Sequence, residues 1–392
     1  MTIDDVKKKL EKLGLEIDRE SGKILVEWEK IPFEEFDRPY WAALSSVDGV
    51  GPSTLPMLVA GFGSANAALN AAADELQIIG LSRNVSERIV RMGKNDIGLW
   101  FRHASSGLRF IVPKDDEFPK TLLELEHGPS QLWVWGDPSL LSFNRIVAVV
   151  GTRKISPYGK EVTSLLSQKL ATYGCVIVSG LMYGVDEAAM RAGLSNQGKI
   201  IGVWAGGLTR SSLGSRYRLA ADIVQRGGVV ISEFSPDHVP QKGMFPARNR
   251  IVSGLSRGVV VTEGAIKSGS LITASTAMEQ GKPVGAVPGP ITSLISAGPN
   301  ELLKLGATPV TTAEEILVMC GISGDGKKGE KSLFVAKNDI QKAIVSVLSL
   351  RPLTIDELAR ETKRSVSEIG EQLTELEMFE VVRQMGEEWK LV

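Results

Sequence analysis

Between residues 109 and 320 the chain alternates short runs of β-branched residues with glycine turns and helical stretches, and this alternation constrains the fold more than any other feature. The runs are apolar throughout rather than at every second residue, the mark of strands covered on both faces in a parallel sheet flanked by helices. Strands are predicted at 146–150, 176–179, 200–203, 229–232, 258–262 and 283–287. Six such strands alternating with helices predict an α/β, Rossmann-like core over 109–320 with a parallel sheet.

At 392 residues the chain is too long for one ordinary domain, and the flanks read differently from the core. Residues 1–35 form a charged leader, with helical spacing over 4–14 and strand-like alternation over 23–29. Residues 36–108 are expected to form a small helical domain of the helix-hairpin-helix or SAM-like kind. Its turn, Val47-Asp48-Gly49-Val50-Gly51-Pro52 before Ser53-Thr54-Leu55, suits either a phosphate held by glycine amides or a plain tight turn at positive φ. Residues 321–337 are Gly- and Lys-rich and read as a linker. Residues 338–392 hold three helical patterns and two short apolar runs around Gly386, which fits a winged helix.

Charge narrows the function. Lys and Arg total 45 against 46 Asp and Glu, so no global basic field exists and any polyanion site is local. Residues 144–310 hold 18 Lys/Arg and 9 Asp/Glu, a net of +9, whereas 354–392 hold 5 and 10, a net of −5. The second helix of the C-terminal pair carries Glu368, Glu371 and Glu375 on one face, which opposes duplex binding and suits a protein partner or a basic core. Two cysteines, Cys175 and Cys320, and three histidines argue against zinc enzymes, disulfide scaffolds and His-based triads. No stretch of 18 apolar residues occurs and the N-terminus lacks an apolar signal region, so the expectation is a cytoplasmic protein away from membranes, with no cofactor.

Four loops carry the chemistry. Gly151, Thr152, Arg153, Lys154 and Ser156 follow the first predicted strand of the parallel set, where open α/β sheets bind ligands. Neither the GxGxxG nor the GxxxxGK[ST] spacing is present, which argues against NAD and against ATP hydrolysis; a purely structural turn stays open. Ser179 and Gly180 end the next strand, and Asp186 reads as a helix N-terminal carboxylate. Arg248, Asn249 and Arg250 offer forked donors for phosphate, or one arginine braces Glu233 or Glu263; Glu263 is expected to pair with Arg250. Lys267, Ser268, Gly269, Ser270 and Thr273 make the strongest phosphate cradle in the chain.

These strings together resemble the DNA-processing protein A (DprA/Smf) family. The resemblance rests on Phe118-Pro119 with Leu122, Pro129, Leu132, Gly136 and Asp137, and on Gly151-Thr152-Arg153 with Ser156 and Gly159. It continues through Ser179-Gly180 with Gly184 and Asp186, Phe245-Pro246 with Arg248-Asn249-Arg250, and Lys267 to Ala274. Pro288-Gly289 and Gly298 with Asn300, Gly306 and Ala307 complete it. It implies an extended Rossmann fold that binds single-stranded DNA as a homodimer, protects it and helps load the RecA recombinase during natural transformation, without catalysis. Three departures stand out: Thr152 replaces the usual serine, Met182-Tyr183 stand where the family commonly has Ala-Arg, and Thr209-Arg210 with a Ser/Arg-rich run to Arg218 replace the usual Asp and Tyr-Pro. The alternative is a nucleotide-processing enzyme like the phosphoribohydrolases, with Glu263 as its acid or water-orienting group, although that family's PGGxGT string is missing. A scaffold whose glycine loops are only turns is the third reading.

Overall fold

The computed structural model describes residues 31–92, 97–98, 103–104, 106–322, 338–348, 351–378, 381–386 and 388–391. The helix expected over 4–14 and the strand over 23–29 lie outside the described residues, as does the linker after its first two positions. The chain divides into two compact units, Met1–Gly326 and Lys327–Val392.

The first unit opens with α1 (Arg38–Ser45), α2 (Thr54–Phe62), α3 (Ala65–Leu69), α4 (Ala73–Ile78) and α5 (Arg83–Arg91). Their apolar faces, with Trp41, Leu44, Leu58 and Ile89, run into one continuous core with Leu108, Phe110 and Trp133 of the following region. Arg38 ties the two together, donating to Asp115 at 2.8 and 2.9 Å and to the Phe110 carbonyl at 3.1 Å. In the turn at 47–52, Gly49 has φ +99°, and a Cβ there would lie 2.6 Å from Val85 Cγ2. The turn therefore packs onto α5, and Arg88 donates to the Asp48 carbonyl at 3.0 Å.

The sheet follows in the order β1 (Arg109–Ile111), α6 (Lys120–Leu123), β2 (Leu132–Gly136), β3 (Ile146–Val150), α7 (Pro157–Thr172), β4 (Val176–Ser179), α8 (Val185–Ser195) and β5 (Ile200–Val203). The chain continues through α9 (Arg210–Leu213), α10 (Tyr217–Gln225), β6 (Val229–Ser232), α11 (Met244–Leu255), β7 (Val259–Val261), α12 (Gly269–Glu279), β8 (Val284–Ala286), α13 (Ala297–Lys304), β9 (Thr308–Pro309) and α14 (Ala313–Met319). All six predicted strands are present, within a nine-stranded sheet of order β1-β2-β6-β5-β4-β3-β7-β8-β9. The sheet is mixed, because β2 runs antiparallel to β6, with Trp133 opposite Ser232 and Gly136 opposite Val229, and β1 is antiparallel to β2.

Every residue of β3, β4, β5 and β6 is buried, the condition that made their apolar runs legible. Alternation still operates inside β3. Val147 and Val149 pack with Leu166 and Leu170 of α7 on one face, while Ile146, Ala148 and Val150 pack with Ile251 and Val252 of α11 on the other.

The second unit contains α15 (Asp339–Leu348), β10 (Leu353–Thr354), α16 (Ile355–Thr362), α17 (Val366–Met378), β11 (Val382–Met385) and β12 (Glu388–Leu391). Leu358, Ile369, Leu373 and Leu376 close its core, and the β11–β12 wing turns at Gly386, φ +66°. The acidic face of α17 is partly engaged within the unit. Glu368 accepts from the Ser365 amide and hydroxyl at 2.9 and 2.7 Å, and Glu375 accepts from the buried Gln341 at 2.9 Å.

Candidate nucleic-acid interface

From β3 the chain builds the sheet toward β4, β5 and β6, then returns to the other side of β3 with β7 and β8. The carboxyl ends of β3 and β7 thus flank a topological switch point, where the connections diverge and leave a crevice. The loops after β3, β4 and β7 and the start of α11 meet there around a cavity of about 230 Å³.

Nine of the predicted residues line that cavity: Gly151, Arg153, Gly180, Arg248, Asn249, Ser268, Gly269, Ser270 and Thr273. Gly151 is needed because a Cβ would lie 2.5 Å from Val185 Cγ2 and 2.7 Å from the Glu263 carbonyl. At Gly180 a Cβ would overlap the guanidinium of Arg248. Arg248, only 4% exposed, forms the floor; its Nη1 donates to the Val203 carbonyl at 2.5 Å, while its Nε is buried with no acceptor among the described residues. Burial pulls this guanidinium down to about 10, opposed by the charge of Asp186 and reinforced by that of Arg153. Asp186, in the first turn of α8, accepts from the amides of Gly180 at 3.1 Å and Met182 at 3.4 Å, an N-terminal carboxylate as its position implied. Burial raises its pKa, countered first by Arg248. Between those amides Leu181 is held at φ +56° with its side chain buried, a sparsely populated conformation that the surrounding packing must enforce.

The rim is cationic. Arg153 is exposed and lies over the Phe245 ring, 5.1 Å from its centroid, which fixes the direction of its forked donors. Lys154 and Lys267 are exposed at the margins. The N-terminus of α12 faces the cavity. Ser268 caps it by accepting from the Ser270 amide at 3.4 Å, its hydroxyl lies 2.9 Å from that of Ser270, and Asn249 reaches the Gly269 carbonyl at 3.4 Å. A helix start with small polar side chains and two arginines is a site for an anion.

Other expectations are corrected. Arg250 donates to both oxygens of Glu233 at 2.6 Å, so Glu263 is not its partner. Two positions along α11 from Arg248, it points to a different side of the helix from the cavity. Ser156 caps α7 by accepting from Gly159 and gives its own amide and hydroxyl to Glu263 at 2.9 and 2.5 Å. Ser179 is buried and donates to the Val149 carbonyl at 2.7 Å. These three side chains are committed to the scaffold, and Thr152, whose hydroxyl accepts from the Lys154 amide at 3.1 Å, shapes the loop. Phe245 and Met182 line the cavity without having been singled out for it; only the stacking of Phe245 under Arg153 reveals its part.

The chemistry this arrangement offers is binding. At about 230 Å³ the cavity is smaller than the roughly 300 Å³ at which small-molecule pockets begin, so it suits a phosphate and part of a sugar better than a whole nucleotide. Glu263 is turned into Ser156 and does not line it. Among the described residues no group of His, Cys, Asp and Glu could hold a metal ion, and no helix is long and apolar enough to cross a membrane.

Comparison with known proteins gives a consistent result. The family described as DNA recombination-mediator protein A matches residues 109–321, and the DprA winged helix domain matches residues 335–387. Protein Smf of Escherichia coli is 37% identical over 311 residues, covering 77% of this chain and 83% of that protein. The DNA processing protein DprA of Bacillus subtilis is 40% identical over 214 residues, covering 55% and 72%. The crystal structure of DNA processing protein A from Streptococcus pneumoniae superposes with a TM-score of 0.57 at 31% identity, over 81% of this chain and 98% of that one.

Proposed function

Because the chain belongs to the DNA recombination-mediator protein A family, we propose that it binds single-stranded DNA, with the strand's phosphates held at the cavity of the switch point. The observation that carries this reading is the convergence of Arg153, Arg248 and the α12 N-terminus on an opening sized for a phosphate. Backbone-tracking cations with few groups to read base edges are what sequence-tolerant single-strand binding requires. The finer reading is that the protein, as a homodimer in the cytoplasm, protects incoming single strands and helps load the RecA recombinase in natural transformation or related recombination, with no bond-breaking chemistry of its own. In this reading residues 36–108 form a helical domain, 109–320 the DNA-binding core, 321–337 a linker and 338–392 a winged helix.

The test is a salt series with oligo-dT and a matched duplex, alongside a nucleotide hydrolysis assay. Single-strand affinity that falls steeply with salt, exceeds duplex affinity and comes without turnover is the expected result. A turnover of nucleotides would favour the phosphoribohydrolase-like alternative, and no binding at any salt would leave only a scaffold.

A further inference from the structure

Tyr183 stands between Met182, which lines the cavity, and Gly184, where a Cβ would lie 2.7 Å from the Arg153 carbonyl carbon. The turn carrying Tyr183 is therefore packed on the loop that presents Arg153, and the Val185 amide donates to the Thr152 carbonyl at 3.1 Å. Tyr183 is 47% exposed. Directly over its ring, 3.5 Å from the centroid, lies the guanidinium of Arg216, itself only 7% exposed.

Three contacts immobilise this pair. The Tyr183 hydroxyl donates to Ser215 Oγ at 2.8 Å, Arg216 Nη1 pairs with Glu187 at 2.7 Å, and Glu187 is held in turn by Arg191 at 2.9 Å. Since one face of the ring is occupied by a buried cation, the exposed area belongs to the opposite face and the edge. A large aromatic face presented to solvent next to a phosphate site, and already ordered, binds a flat partner without the cost of fixing its rotamer. The cation beneath draws electron density from the ring, which favours an electron-rich base above it.

We propose that the open face of Tyr183 is a stacking platform for one nucleobase of a strand whose phosphate occupies the neighbouring cavity, with Arg216 and Ser215 as its positioning residues. The family pattern that this chain resembles commonly places an arginine at this position; here the guanidinium arrives from a different element and the tyrosine stands over it. The chain thus exchanges a backbone contact for a base contact. The proposal rests on the single-strand-binding reading given above.

The experiment uses the full chain and two labelled ligands, oligo-dT and an abasic deoxyribose-phosphate oligomer of equal length, in fluorescence anisotropy titrations. The wild type is expected to bind oligo-dT about tenfold more tightly than the abasic oligomer. Tyr183→Leu, which still covers Arg216, is expected to lose about tenfold on oligo-dT and to stay within about twofold on the abasic oligomer, while Tyr183→Phe keeps most of the difference. A Leu variant that binds oligo-dT as the wild type does, or that loses both ligands equally, overturns the platform but leaves single-strand binding intact. A wild type that binds neither ligand overturns both readings. Tyr183→Trp gives an independent readout: its fluorescence should be quenched by oligo-dT and not by the abasic oligomer, and quenching by neither counts against stacking.

Discussion

Glu263 closes on Ser156 with both oxygens, taking the backbone amide at 2.9 Å and the hydroxyl at 2.5 Å, and so ties the end of β7 to the start of α7 across the switch point. A carboxylate accepts both bonds, whereas an amide must turn a donor toward one of them. Glu263→Gln is expected to lower folding stability by about 1–3 kcal/mol in urea titrations. Gly159→Ala should cost at least as much, since its methyl would fall on the Glu263 carboxylate. Nucleotide turnover by the wild type that vanished in Glu263→Gln would return this residue to a catalytic part.

Arg153 is exposed, and among the described residues the contact that orders it is its stacking on Phe245. Arg153→Ala should leave the thermal midpoint nearly unchanged while weakening oligo-dT binding by about 1–3 kcal/mol, with a shallower dependence on salt. An unchanged titration would place the strand elsewhere.

Lys267 precedes the α12 cap and points into solvent. Reversing its charge adds repulsion to lost attraction, so Lys267→Glu is expected to bind oligo-dT more weakly than Lys267→Ala, with both variants folded. Equal affinities would mean that Lys267 faces away from the strand.

Arg248 contrasts with Arg153, because it is buried, donates to the Val203 carbonyl and carries the charge that opposes the burial of Asp186. Arg248→Met leaves the buried Val203 carbonyl without its donor and removes the positive charge that opposes the burial of Asp186, a cost of about 1–3 kcal/mol. Chemical denaturation should therefore show a large loss in Arg248→Met and almost none in Arg153→Ala.

The carboxylates of α17 leave no basic face for a groove, as Glu368 and Glu375 cap and brace the unit itself. Truncation after residue 330 is expected to keep oligo-dT affinity within about threefold, under roughly 1 kcal/mol. A folded truncation that bound tenfold more weakly would give the winged helix a direct part in holding the strand.

Residues buried on both sides wrote their structure into the sequence most clearly. The runs at 146–150 and 229–232 are apolar because α-helices cover both faces, and each glycine loop announces itself at a strand's end. β1 and β9 are three and two residues long, and the residues of β9 are exposed, so their strand character comes from pairing with a distant neighbour. The cavity residues were legible as types but not by orientation. Arg248 and Arg250 look equivalent in a string, and only their phase on α11 sends one to the cavity and the other to Glu233. Ser156 and Ser179 are donors by composition, yet a carboxylate and a carbonyl claim them first. The stacking of Phe245 under Arg153 joins the first turn of α11 to the loop after β3, far apart in the chain, and no local spacing encodes it.

The guanidinium of Arg248 occupies the space in which any side chain at position 180 would begin. A methyl group introduced at Gly180 must evict the arginine, and shortening the arginine alone opens a void beside Asp186. Each change by itself is damaging, while a shorter residue at 248 makes room for a larger one at 180. The two positions therefore form a single unit of sequence drift: a lineage could cross from this pair to another only by two substitutions close together in time, through an intermediate that folds poorly.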